Sequence, residues 1–414
     1  MLRLPPALLL AVALAGCDLL GADPEPPSTP ATIALTATDE AVVGQSNAFG
    51  VGLFARVAAE DGGNLMLSPL SASAALTMLL NGADGETYAQ IHEMLGYGPA
   101  LDLDAVNGSY ESLRRQLLAA DPAVRLALAN AVFYDRTFFA AAPPKSPFLA
   151  ALRGPFGAEV RDLDFGDPGA VDVVNGWASA NTEGKVPKVL DAISRDLVMI
   201  LMNALYFKGD WTTPFERSRT APADFRLADG ATVPVPTMSG EVQALRTAGD
   251  GYTAVELPYG RRNFSMVVLV PDSVGLGDFA ARLDAGLWDD ATTRLDAAAD
   301  AWGPVEVRLP LFGFSYEREL NEPLKALGMV DAFDDRRADL TRISDARLSV
   351  SFVKQNTFVE VNEEGTEAAA VTTVGVRATS APAPFAVDRP FVFGLRERTT
   401  NTLLFIGQVA DPRA

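Results

Sequence analysis

The chain has 414 residues, with 53 acidic against 34 basic side chains and a formal net charge of -19. So acidic a chain excludes nucleic acid as a partner, because phosphate backbones bind basic surfaces. The length alone would allow two or three domains, but no linker, repeat or low-complexity run follows residue 40. We therefore expect one large domain of mixed α+β class, with a hydrophobic fraction of 48% that suffices for its core.

The first seventeen residues predict a secretory signal peptide. Arg3 precedes an apolar run over residues 7–14, which is too short to cross a membrane as a mature helix. Residues 14–17 resemble a bacterial lipobox, and this resemblance implies a lipid on Cys17, the only cysteine of the chain. An ordinary signal peptide with an incidental cysteine is the alternative.

The expected organisation has three parts. Residues 1–17 are the lipoprotein signal peptide, residues 18–40 a flexible proline-rich tether, and residues 41–414 the folded domain. We expect an exported, extracytoplasmic protein that is held by lipid on a bacterial membrane or cell surface.

His92 is the only histidine of the chain, so a Ser-His-Asp or Cys-His enzyme would have to use it. Its neighbours Ile91, Met94 and Leu95 recur at helical spacing, which favours a histidine at the surface or boundary of an amphipathic helix. No G-x-S-x-G, H-E-x-x-H or C-x-x-C motif occurs, and the acidic run 162–167 lacks the closing glutamate of a calcium loop. The sequence predicts neither an enzyme nor a cofactor or metal site.

In a segment near the C-terminus, the positions alternate as on the two faces of a strand, with charges on one face only. From Thr366 onward the charges Glu367 and Arg377 occupy odd positions, so a strand would carry both on one face. The even positions are uncharged and free of proline: Thr366, Ala368, Ala370, Thr372, Val374 and Val376. Pro382 and Pro384 then interrupt any pairing. The pattern predicts a loop that can become a strand over a packed core.

The same region carries a family resemblance. Its first residues, Glu363-Glu364-Gly365-Thr366-Glu367-Ala368-Ala369-Ala370, closely resemble the hinge of the reactive-centre loop of serpins, the serine protease inhibitors that act by loop insertion. Further blocks resemble the family in the same order: 64–83, 175–186, 203–215, 388–393 and 403–407. The resemblance extends from about residue 41 to Pro412, nearly the whole expected domain.

The resemblance implies a serpin-like fold, with a central, mostly antiparallel sheet, further sheets, about eight or nine helices and an exposed reactive-centre loop. It implies a monomer that inhibits a serine protease through a covalent acyl complex. The spacing typical of the family, counted from Glu363 or from Pro390, places the bait bond at Thr379-Ser380. Threonine before this bond suggests an elastase-like or subtilisin-like target. Arg377 leaves a trypsin-like target open, and a non-inhibitory binding or surface protein is a further alternative.

The resemblance also assigns roles to residues around the sheet. Ser68, Ser71 and Asn203 match a hydrogen-bonded latch under the opening sheet, and Trp211 matches a residue where the loop enters; helix capping is the alternative role for the serines. Gln355 stands where the family usually has histidine. Glutamine also donates and accepts, so we expect a latch without pH dependence from this site.

Overall fold

A computed structural model describes residues 30–272, 275–366 and 383–414. Within these ranges the chain forms nine α-helices and fifteen strands in two sheets, which confirms the mixed α+β class. The helices are α1 Ala37–Glu60, α2 Pro69–Leu80, α3 Gly85–Met94, α4 Leu103–Ala119, α5 Ser146–Arg153, α6 Ala170–Asn181, α7 Leu276–Arg282, α8 Ala285–Ala297 and α9 Asn321–Ala326. No helix in the described ranges has the length and apolar character needed to cross a membrane.

The strands are β1 Leu65–Leu67, β2 Val124–Asp135, β3 Glu159–Leu163, β4 Met199–Asp210, β5 Ala221–Arg226, β6 Thr232–Gly249, β7 Tyr252–Pro258, β8 Phe264–Pro271, β9 Gly303–Pro310, β10 Phe312–Glu319, β11 Lys354–Val361, β12 Gly365–Thr366, β13 Phe385–Ala386, β14 Phe391–Glu397 and β15 Thr402–Val409. The six-stranded sheet has the order β10-β11-β12-β4-β2-β3. Only β2 and β3 pair in parallel there, so the prediction of a mostly antiparallel central sheet is confirmed.

Helix α1 begins before the domain boundary predicted at residue 41. A capping box starts it: the Thr36 hydroxyl accepts from the Asp39 backbone N–H, and the Asp39 carboxylate accepts from the Thr36 backbone N–H. Upstream, Ile33 is buried in the core. The folded part therefore includes residues that a proline-rich composition had placed in the tether.

Helix α2 lies behind the six-stranded sheet and is buried on nearly every side. Ser68 caps it by accepting a hydrogen bond from the Ser71 N–H, and Pro69 occupies the first turn, where no backbone donor is needed. Because its residues are apolar or small all round, the helix is stable only in the interior. It forms a fixed floor beneath the sheet.

Helix α6 covers the opposite face of the same sheet. Val174 and Trp177 on the helix share a core cluster with Ile200 and Ala204 on β4. Side chains alternate along a strand, so the odd-numbered residues of β4 face α2 instead. The sheet is thus enclosed between two helices.

The nine-stranded sheet has the order β1-β15-β14-β8-β7-β6-β9-β13, with β5 paired to β6. Strands β8, β14 and β15 are buried at every residue. Burial on both faces explains why β8 and β15 read as nearly continuous apolar runs. This sheet supplies most of the main core and holds the turn that contacts the hinge.

Candidate functional site at the opening of the central sheet

Strand β12 is a two-residue insertion between β4 and β11. Thr366 pairs with Val361 of β11 on one side and with Gly209 of β4 on the other, and Gly365 pairs with Asp210. Among the described residues no backbone ladder joins β4 directly to β11. The start of the predicted hinge therefore already occupies the sheet, and the two long strands diverge below it.

Gly365 meets a steric requirement at this entry. Its φ is 157°, at the edge of the range that favours glycine, and a Cβ there would collide with the carbonyl oxygen of Gly209. Any other residue would push β12 away from β4. The hinge needs glycine at this position.

The first inserted side chain, Thr366, is held by a hydrogen bond. Its hydroxyl lies 2.6 Å from the hydroxyl of Tyr259, and both residues are buried. Burial raises the pKa of Tyr259 well above its ordinary value, so the hydroxyl keeps its proton at neutral pH. The sequence analysis did not single out Tyr259, which follows β7 and lies 107 residues from Thr366.

Trp211 supports the same corner, next to β12. Its backbone N–H donates to the Glu364 carbonyl at 2.7 Å, and its indole N–H donates to the Asn362 carbonyl at 3.0 Å. The indole stacks on the Tyr259 ring with 4.4 Å between centroids. One tryptophan thus fixes both the hinge backbone and the tyrosine that holds Thr366.

Acidic side chains crowd the hinge. The Glu364 carboxylate is 6% exposed and accepts from Nε of Arg217 at 2.6 Å, while Glu363 accepts from the Thr220 hydroxyl at 2.7 Å. Burial raises the pKa of the nearby Asp210, and the charge of Glu364 adds to this rise. The two glutamates of the predicted hinge are therefore anchored outside the sheet, next to its opening.

The predicted latch residues meet under the sheet. The Ser71 hydroxyl donates to the Asn203 side-chain oxygen, and Asn203 Nδ2 donates to Asn130 Oδ1 at 2.7 Å. Asn130 then donates to the Phe156 carbonyl at 2.8 Å. The chain of hydrogen bonds links α2 to β4 and β2; Asn130 belongs to it, although the sequence analysis did not name it.

Gln355 closes the other side of the latch. Its Oε1 accepts from the Ser68 N–H at 3.1 Å, and its Nε2 donates to the Ser68 carbonyl at 2.9 Å. Ser68 also caps α2, and its hydroxyl donates to the Leu404 carbonyl at 2.8 Å. The serine thus acts both as a helix cap and as a member of the latch, and the amide uses its donor and its acceptor, as neutral glutamine can.

A cavity of about 190 Å³ lies between β4 and β11, above α2. The latch residues line it together with apolar side chains, among them Ala72, Leu76, Leu201, Leu205 and Val353. Empty space of this size beside a sheet edge costs packing energy, because its lining lacks contact atoms. The cavity lies between the two strands that a further strand would have to pair with.

The remaining predicted residues are either outside the described ranges or away from the opening of the sheet. Glu367–Ala370, the bond Thr379-Ser380, Arg377 and Cys17 fall outside the described residues. His92 is half-buried on α3, stacks on Tyr88 and contacts the Leu101 carbonyl through Nε2 at 3.0 Å, as a boundary histidine does.

Comparison with known proteins assigns the family. The serpin (serine protease inhibitor) family model matches residues 44–412, so the chain belongs to the serpin family. Leukocyte elastase inhibitor from Sus scrofa is 34% identical over 84% of this chain and 93% of its own length. The general activity of the family is inhibition of serine proteases, and its members are inhibitors rather than catalysts.

Solved structures agree on the fold. Native tengpin, a thermophilic serpin, matches with a TM-score of 0.81 and 28% identity, covering 93% of this chain and 100% of its own. Thyroxine-binding globulin in complex with thyroxine matches with a TM-score of 0.79 and 26% identity, covering 89% of this chain and 99% of its own. The fold is that of the serpins, as the sequence resemblance implied.

Proposed function

We propose that this protein is a suicide inhibitor of serine proteases that acts by cleavage of its reactive-centre loop and insertion of the loop into the central sheet. The observation that carries the proposal is β12, which pairs with β4 and β11 on both sides, while a cavity lies further along the same two strands. Strand addition of this kind is a recognised property of serpin sheets. The first hinge residues, Gly365 and Thr366, already lie between the two strands where insertion would begin.

The register of β12 supports the face that we assign to the loop. Thr366 pairs with Gly209 and Val361, so an antiparallel continuation would bring Thr372 between Asn203 and Gln355. Its hydroxyl would join the latch, and the other even-numbered positions would face α2. Each valine buried in this way would contribute about 1.5 to 3 kcal/mol. No charge would enter the core.

The proposed reaction uses the ordinary chemistry of a serine protease. The protease serine oxygen bonds to the Thr379 carbonyl carbon, the peptide bond to Ser380 breaks, and the new amino group takes a proton. Insertion of the freed loop then carries the acylated protease away before water can hydrolyse the ester. If insertion is slow, hydrolysis wins and the inhibitor is consumed as a substrate.

An elastase-like or subtilisin-like enzyme is the proposed target, with Thr379-Ser380 as the bait bond. A relative named leukocyte elastase inhibitor supports this class of target. Arg377 offers a trypsin-like enzyme a second bond in a shorter loop. A non-inhibitory binding or surface protein is the alternative function, which thyroxine-binding globulin illustrates within the same fold.

Attachment to a bacterial membrane is part of the proposal. Residues 1–17 support export, and a lipid on Cys17 would place the proline-rich tether, predicted from residue 18 onward, between the membrane and the folded domain. We propose an extracytoplasmic monomer that meets its protease at a membrane or cell surface.

The test is incubation of the full chain with elastase, subtilisin and trypsin, followed by boiling in detergent and electrophoresis. We expect a covalent complex with elastase or subtilisin, whose inhibitor part ends at Thr379 by mass spectrometry. Cleavage by every protease without any stable complex would overturn the proposal. A complex ending at Arg377 with trypsin alone would move the bait bond but keep the mechanism.

A further inference from the structure

The chain enters the domain next to the hinge. The Ala31 N–H donates to Asn263 Oδ1 at 2.9 Å, and Asn263 Nδ2 donates back to the Ala31 carbonyl at 2.8 Å. Further along, the Ala34 N–H donates to Gln116 on α4 at 3.1 Å, and Ile33 is buried. We call residues 31–36 the entry segment. It is held by two side chains from different parts of the fold.

Asn263 stands in a tight turn of residues 259–263 that also carries Tyr259. Arg262 has a φ of 73°, in the left-handed region, and its N–H donates to the Tyr259 carbonyl at 2.7 Å. The Gly260 N–H donates to the Asp210 carbonyl at 2.9 Å, which joins the turn to the end of β4. Only three residues separate Asn263 from Tyr259 in this turn, so a displacement of Asn263 would shift the position of Tyr259.

We propose that Asn263 is a positioning residue for loop insertion, because it couples the entry segment to the Tyr259 hydroxyl that holds Thr366 in the sheet. Asn263 has no exposed surface, and its two hydrogen bonds to the exposed Ala31 are partly buried. This inference rests on the proposed function. It adds that the segment joining the domain to its membrane tether helps set the rate at which the loop inserts.

Insertion would start from the pairs that Thr366 already makes with β4 and β11. While Tyr259 holds Thr366 between β4 and β11, the next loop residues can pair one after another from a formed end. A looser turn lets Thr366 leave the sheet, and insertion must then begin from an open sheet at higher cost. Slower insertion gives water more time to hydrolyse the acyl bond.

The test compares two proline substitutions in the full chain. Ala31→Pro removes the N–H that donates to Asn263. Thr32→Pro is the matched control, since no hydrogen bond from the Thr32 N–H occurs in the described part of the chain. We measure the number of inhibitor molecules consumed per protease inactivated. Ala31→Pro should raise it about two- to fivefold, the scale of one typical hydrogen bond, and Thr32→Pro should not.

A second measurement tests whether the effect of Ala31→Pro depends on the Tyr259 hydroxyl. Ala31→Pro is combined with Tyr259→Phe, and the effect of the proline substitution should shrink toward none in the variant that lacks the hydroxyl. Substitution of Asn263 itself is a poorer choice, because its amide also contacts Glu397 at 3.3 Å. Equal ratios for Ala31→Pro and Thr32→Pro, or fully additive effects with Tyr259→Phe, would overturn the inference. Absence of any covalent complex from the unaltered chain would instead overturn the proposed function.

Discussion

The hydroxyl groups of Tyr259 and Thr366 lie 2.6 Å apart in a buried contact that joins the turn after β7 to the first residue of the inserted hinge. Burial raises the pKa of Tyr259 well above its ordinary value, so its hydroxyl keeps its proton and can donate to Thr366 at neutral pH. The contact holds the hinge at the start of the space between β4 and β11. Its removal should affect inhibition more than folding.

Tyr259→Phe tests this contact. The ring would still stack on Trp211, but Thr366 would lose its partner, at a cost of about 1 kcal/mol for a typical hydrogen bond. We expect a lower yield of covalent complex and more cleaved inhibitor. Densitometry of the two products measures the effect. Tyr252→Phe is a matched control, since its hydroxyl bonds Asp290 on α8, away from the hinge.

Thr366→Arg should convert the inhibitor into a substrate. Thr366 is 4% exposed and faces α2, so the charge must either be buried, at a cost of several kcal/mol, or keep the hinge out of the sheet. Thr366→Val keeps size without charge and should retain complex formation. An unchanged complex yield in Thr366→Arg would contradict the inward face assigned to the even-numbered residues.

Gln355→His should introduce a pH dependence that the present chain lacks at this position. Neutral imidazole can accept from the Ser68 N–H, as Gln355 Oε1 does, but imidazolium cannot. The added stability would be present above a pKa of about 6.5 and lost as the pH falls through it. Melting temperatures between pH 5 and 8 should diverge from those of the unaltered chain only on the acid side. Parallel curves would show that the latch tolerates the charge.

Glu256→Gln should destabilise the whole domain. Glu256 and Arg396 are both fully buried and paired at 2.9 Å. Burial alone would raise the pKa of Glu256, but the charges of Arg396 and then Arg398 outweigh it and lower the pKa below its ordinary value. Arg396 keeps Asp296 as a second partner at 2.7 Å, so the loss is that of buried hydrogen bonds to a charged group, about 1 to 3 kcal/mol. Denaturant unfolding at pH 7 measures the loss.

The ion pair of Glu256 and Arg396 determines whether the stability of the domain rises or falls with pH. Because the folded pKa of Glu256 lies below the unfolded one, its contribution is full above the unfolded pKa and is lost as the pH falls through the folded pKa. Stability should therefore fall on acidification in the unaltered chain and fall less in Glu256→Gln. An identical loss of stability on acidification in both proteins would contradict this assignment.

Much of the site could be predicted from the sequence because its motifs are local. The hinge glycine, Trp211 and the latch pair Ser71 and Asn203 stand within short blocks that resemble the family, and the structure brings Ser71 and Asn203 together. Strand alternation alone assigned Thr366 to the buried face. These residues needed no knowledge of long-range packing.

Other parts depended on contacts between distant segments. Tyr259 follows an ordinary strand, and only the pairing of β12 with β4 brings Thr366 to it. The entry segment was predicted as part of the tether because prolines precede it. Thr36 and Asp39 nevertheless form a capping box that marks the start of α1. This capping box places the start of the first helix at residue 37.

The most direct measurement is the melting temperature of the protein before and after a single cut in the loop. The uncut chain keeps a cavity of about 190 Å³ between β4 and β11, and insertion would fill it and add backbone pairs on both sides. We predict a large rise in melting temperature once the loop is cut at Thr379-Ser380. A cut chain that melts at or below the temperature of the intact chain would contradict insertion, and with it the inhibitory mechanism.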